Sequence, residues 1–185
     1  AKCNPNGDTR MTSKLKTDIL ETVSGSGTIA LTNQLSGMTT ASLPTITTDK
    51  LGTGAILQVV TDIYVNSAHG VTSSTSYVDS SLSASITPKF SNSKIIIILN
   101  LGVQAPLSNY GWARVLRGST DLNGQAWIGN SSGTIYGSLN STWVDTPSTT
   151  SSTVYKVQVK TQSTAGFYYH HGNIPSSLTL MEIKG

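Results

Sequence analysis

Residues 91–104, SNSKIIIILNLGVQ, set four isoleucines and a leucine side by side, from Ile95 to Leu99. A strand turns successive side chains to opposite faces, so such a run is comfortable only where both faces are covered. Ile95, Ile97, Leu99, Leu101 and Val103 form one face and read as core. Ile96, Ile98 and Asn100 form the other and need a second cover. The closing SSLTLMEIKG has the same character, with Leu178 and Leu180 opposing Met181 and Ile183. The cover is either the amino-terminal segment folded back or a neighbouring copy of the chain. Two strands apolar on both sides favour self-association, and Ile96, Ile98, Leu178 and Leu180 are the expected subunit contacts.

The rest of the chain is a polar background to these runs. Ser and Thr supply 53 of 185 residues, whereas charged residues are 11%, less than half the usual share. The balance is 12 basic against 9 acidic, a net charge of +3, and the cations are scattered. Nucleic-acid binders gather Lys and Arg on one face, so no nucleic-acid partner is expected. Cys3 is the sole cysteine, which excludes an internal disulfide. No apolar stretch is long enough for a spanning helix, and no secretory leader is read at the amino end, so release inside an assembled particle is the expected route out of a cell.

The sequence divides at about residue 53. Residues 1–53 are expected to form an extended amino-terminal arm and connector: a Pro- and Gly-bearing start, then KLKTDILETV, a Gly/Ser turn, TIAL, and a polar linker containing Pro44. Leu15, Ile19 and Val23 share a face whether 14–23 is helix or strand, and periodicity does not decide between them. From residue 54 the period is two. Leu57, Val59, Ile63 and Val65 oppose Gln58 and Asp62; Leu82, Ala84 and Ile86 alternate with serines; Tyr155, Val157 and Val159 alternate with Lys156, Gln158 and Lys160. Further strands are expected near 76–79, 111–117, 125–128, 134–144, 166–171 and 178–183, with turn-rich separators between them. The fold class is therefore all-β. Residues 54–185 should form an antiparallel β-sandwich of eight or nine strands, jelly-roll-like in connectivity.

The residues that could do chemistry are dispersed. Nine carboxylates lie far apart, and no phosphate loop, dinucleotide fingerprint or nucleophile elbow is present. Asp62 reads as solvated, and Glu182, although it shares a face with Leu178 and Leu180, as the exposed end of a last strand. His170 and His171 are strand neighbours that point apart, so one chain does not clasp an ion with both, although a symmetric axis could gather one from each copy. The chain is expected to be no enzyme and to need no cofactor or metal. Trp112, Trp127 and Trp143 read mainly as sandwich core. Trp112, which follows Asn-Tyr-Gly, is the expected exception, and with Tyr110 it is the candidate glycan contact.

Several segments together resemble bacteriophage tail-fibre and virion structural proteins. SKLKTDILETVSGSGTIALTNQL, residues 13–35, is similar to their opening; GAILQVV, SLSASITPKFSNSKIIIILN, RGST, DTPSTTSSTVYKVQV and SLTLMEIKG are similar, in order, to their carboxyl-terminal β domain. The resemblance implies a non-enzymatic homotrimer on the tail or capsid surface of a virion. Its arm, through Leu15, Ile19, Val23, Ile29 and Leu31, would attach to other virion proteins. Its β domain would face outward toward host surface polysaccharide. A capsid cement protein is the alternative that the same features allow.

Overall fold

The chain divides into two units, residues 1–45 and 46–185. The computed structural model describes residues 46–64, 68–172 and 174–185, with the backbone alone at Asn130. The attachment residues expected at Leu15, Ile19, Val23, Ile29 and Leu31 lie outside the described residues, as does the expected arm up to residue 45.

After a 3-10 turn, Thr48–Lys50, come ten strands: β1 (Ile56–Tyr64), β2 (Gly70–Thr72), β3 (Val78–Ile86), β4 (Lys94–Ala105), β5 (Asn109–Arg117), β6 (Thr120–Asn130), β7 (Ile135–Asp145), β8 (Thr153–Thr161), β9 (Phe167–Tyr169) and β10 (Ser176–Ile183). One sheet orders β1, β10, β4 and β7, with the short β9 and β2 continuing it beside the second half of β4; the other orders β3, β8, β5 and β6. All pairings are antiparallel. The eight long strands thus change sheets at every step except the β5–β6 hairpin, the jelly-roll pattern, and the two sheets form a β-sandwich.

The isoleucine run explains itself once the sheets are placed. Ile95, Ile97, Leu99, Leu101 and Val103 of β4 are fully buried against Leu82, Ile86, Val115, Val157 and Val159 from the opposite sheet. Burying each such side chain is worth roughly 1.5–3 kcal/mol. Close packing also dictates glycines: a Cβ at Gly111 would lie 2.0 Å from the buried Phe167 ring.

Two strand expectations change. The stretches near 76–79 and 82–86 are one strand, β3, because Ser81 takes φ 71° and absorbs a register shift between Asp79 and Ser83 as a bulge. The strand expected over 166–171 ends at Tyr169, because His170 turns into the left-handed region at φ 56°.

Leu178 and Leu180 are corrected from subunit contacts to core. Both are 0% exposed, and in register they face Leu99 and Ile97 of β4, which point inward. A strand apolar on both sides leaves its inner face undecided by pattern alone; the neighbour's register decides it. Thr179, Met181 and Ile183 take the outer face instead.

Residues 46–53 are bonded to the β domain. Lys184 Nζ donates to the carbonyls of Thr48, Asp49 and Leu51 at 3.2, 2.9 and 2.6 Å, closing the carboxyl end of the 3-10 turn.

Candidate functional site

The outer face of the six-stranded sheet carries an apolar band. Directly opposite residues on paired strands share a face, so register alone assembles it. One row runs Val59, Met181, Ile96 and Val144 across β1, β10, β4 and β7. The next runs Thr61, Thr179, Ile98 and Thr142, with the first two hydroxyls 3.1 Å apart. Ile56 and Ile183 border the band on one side and Ile63 on the other. Among the described residues these side chains stay accessible, Val144 63% exposed, Val59 55% and Ile98 40%, with Ile96 and Met181 half-buried. Among the described residues in these rows, Lys94, opposite Ile183, is the one that carries a charge. Ile96 and Ile98 therefore lie where the sequence places them, on the outer face of the sheet, away from the sandwich core.

The outer face of the four-stranded sheet has a different chemistry. Trp112 of β5 is opposite Trp127 of β6 on one side and Lys160 of β8 on the other. Tyr110 joins them, its ring 6.2 Å from Trp112 and 5.9 Å from Trp127. A Cβ at Gly129 would fall 2.2 Å from the Tyr110 ring, so glycine opposite Tyr110 makes room for the ring to lie over the strand. The neighbouring row is polar: Gln125, Arg114, Gln158 and Asp79. Arg114 donates to Gln158 Oε1 from Nε and Nη2 at 3.1 and 2.8 Å, and to Asp121 at 2.7 Å. Its guanidinium lies 4.0 Å from the Tyr77 ring centre, and burial raises the Tyr77 phenol's pKa. Hydrogen bonds from Gln158 and Lys156 hold Asp79 below the usual carboxylate range.

The sequence expectation for tryptophan is thus met at Trp143, which is buried, and corrected at Trp127, which is 62% exposed. Trp127 alternates with Ala126 and Ile128, the residues that pack on the core, and that alternation in GQAWIGN was the available signal. Tyr110 and Trp112 are brought together, with Trp127 and Lys160 as members that sequence reasoning missed. A cleft of about 470 Å³ opens beside Trp127, between the edges of β6 and β7, lined also by Gln125, Ser138, Asn140 and Ser141.

The buried polar groups are structural pins. Glu182 is corrected from an exposed strand end to a fully buried carboxylate. It accepts from Gln58 Nε2 at 2.6 Å, the Lys89 amide at 2.7 Å and Ser93 Oγ at 2.6 Å. Its position in the inward series Leu178, Leu180, Glu182 was legible; its three donors, from β1 and the turn before β4, were not. Asp145 of β7 ties the two sheets together, receiving Arg117 Nη1 at 2.8 and 2.9 Å and the Tyr155 hydroxyl at 2.6 Å. Burial first, and the Asp145 bond second, push the Tyr155 phenol strongly up. Asp62 accepts from the Ser83 amide at 2.9 Å.

His170 and His171 separate, although not as strand neighbours, since β9 ends at Tyr169 and His170 takes a left-handed backbone. His170 is buried, stacks on Tyr64 with ring centres 3.9 Å apart, and has Nε2 2.5 Å from the Ser80 carbonyl oxygen. Burial lowers its pKa. His171 turns outward among His69, Tyr136 and Tyr168. Among the described residues, no group of three His, Cys, Asp or Glu is placed to hold a metal ion, and no helix is long and apolar enough to cross a membrane.

The chain matches no protein-family model and no curated protein.

Proposed function

We propose that this chain is a non-enzymatic structural component of a tailed-phage virion, a trimeric fibre or adhesin-type protein. The arm, expected over residues 1–53 and here confined to residues 1–45 because 46–53 belong to the β domain, attaches it to other virion proteins, and the β-sandwich faces outward toward host surface glycan. The observation that carries the reading is the row Val59, Met181, Ile96 and Val144, apolar across four strands, with Val59 and Val144 exposed and Met181 and Ile96 half-buried among the described residues. An uncharged band of this width suits a second copy of itself, since like meets like there without charge repulsion. Each described carboxylate already serves the fold. Asp49 bonds Thr47, Asp62 the Ser83 amide, Asp79 Lys156, Asp121 Arg114, Asp145 Arg117 and Tyr155, and Glu182 three donors. That arrangement favours a structural role over acid–base catalysis. The resemblance of the segment series to tail-fibre and virion proteins supplies the setting.

Antibody labelling of purified phage particles tests the reading. Label at the tail supports the adhesin, label on the head lattice replaces it with the cement protein, and particles without the chain refute both.

A further inference from the structure

We infer that the aromatic platform on the outer face of the four-stranded sheet binds an acidic polysaccharide, one whose repeating sugars carry a carboxylate. The inference rests on the outward-facing reading above and narrows its ligand.

Three rings, Tyr110, Trp112 and Trp127, lie side by side on one strand pair, the Tyr110 ring tilted by 33° to Trp112 and 49° to Trp127. A pyranose presents a face of C–H groups that stacks on such rings, and its equatorial hydroxyls then point sideways. Those hydroxyls would meet the adjacent row, where Gln125 is exposed and the Gln158 amide is held by Arg114 and Asp79. Aromatic faces bordered by the exposed Gln125 amide suit a sugar better than an apolar peptide, which would leave that amide unpaired.

The sign of the ligand follows from Lys160. Arg114 and Lys156 are each paired, with Asp121 and Asp79. Lys160 instead lies 5.1 Å from the Trp112 ring and 4.8 Å from the Tyr77 ring, and among the described residues it forms no salt bridge. It completes the row Trp127, Trp112, Lys160, so a sugar stacked on the rings places its substituent at an uncompensated ammonium. A carboxylate there gains a charge-assisted bond that a neutral sugar does not.

The test titrates the full chain with polygalacturonate, alginate and hyaluronan, with methyl-esterified polygalacturonate as the neutral counterpart and polyaspartate as a polyanion without sugars. Tryptophan fluorescence and calorimetry report binding. At least one acidic polysaccharide should bind, and Trp127→Ala, at an exposed residue outside the core cluster, should weaken it by about tenfold or more. Where polygalacturonate is the ligand, its ester should bind about tenfold more weakly, and Lys160→Gln should bring acid and ester together. Where it is alginate or hyaluronan, Lys160→Gln should weaken binding by a similar factor.

Binding of none of the three acids overturns the proposal. So does binding indifferent to Trp127→Ala or to Lys160→Gln, or equal binding of polyaspartate. These measurements need no particle and no oligomer, so their failure leaves the assembly reading standing, and a monomeric chain would leave them interpretable.

Discussion

Replacing Glu182 with leucine removes the acceptor that three donors share. Gln58 Nε2 has a second acceptor, the Thr87 carbonyl at 2.6 Å, and is not stranded. The Lys89 amide and the fully buried Ser93 hydroxyl lose the only acceptor described for them. Each stranded donor costs about 1–3 kcal/mol, so Glu182→Leu should lose about 4 kcal/mol. Glu182→Gln keeps an oxygen toward Lys89 and Ser93, but it turns two charge-assisted bonds into neutral ones and sets an amide nitrogen against Gln58 Nε2, a loss of about 2 kcal/mol. For a domain of this size these correspond to falls of about 12 and 6 °C in Tm. Urea unfolding at fixed protein concentration measures both, and an unchanged m-value shows that the same surface is exposed. A leucine variant as stable as the parent, or a glutamine variant worse than the leucine one, would refute the reasoning.

Lowering pH should weaken the fold through His170. Its folded pKa is depressed, so the unfolded chain binds the extra proton; stability is intact above the ordinary value of 6.5 and falls as pH drops below it. Urea midpoints between pH 7 and 5 should show that slope, and His170→Asn, which tolerates the left-handed backbone, should remove most of it. Tyr155→Phe should lose about 1.5–3 kcal/mol by removing the bond to the Asp145 carboxylate, with Arg117 still in place, as read by thermal unfolding. Leu180→Ala should cost about 2–5 kcal/mol of stability, whereas Ile98→Ser should leave single-chain folding intact and weaken self-association, as seen in unfolding and light scattering.

Period-two patterning made the sandwich legible, because each sheet has one wet and one dry face along strands such as Tyr155–Lys160. It failed where that contrast vanishes. In β10 both faces are apolar, and only the register with β4, a long-range property, turns Leu178 and Leu180 inward. Trp127 illustrates the opposite error: size and hydrophobicity argue for core, while its neighbours Ala126 and Ile128 already occupy the inner positions. The aromatic platform needed Lys160 and Trp112 to become neighbours across 48 residues of chain, and no local pattern announces that pairing. Ile96 and Ile98 were readable because the buried set beside them, Ile95, Ile97 and Leu99, is unambiguous.

Sedimentation equilibrium on the purified chain, beside Ile96→Asp, tests the central claim that sister copies cover the outer face of the six-stranded sheet. The parent should sediment as three chains per particle and the variant as a folded single chain. A parent that stays a folded single chain at micromolar concentration, or a variant that remains trimeric, would contradict it.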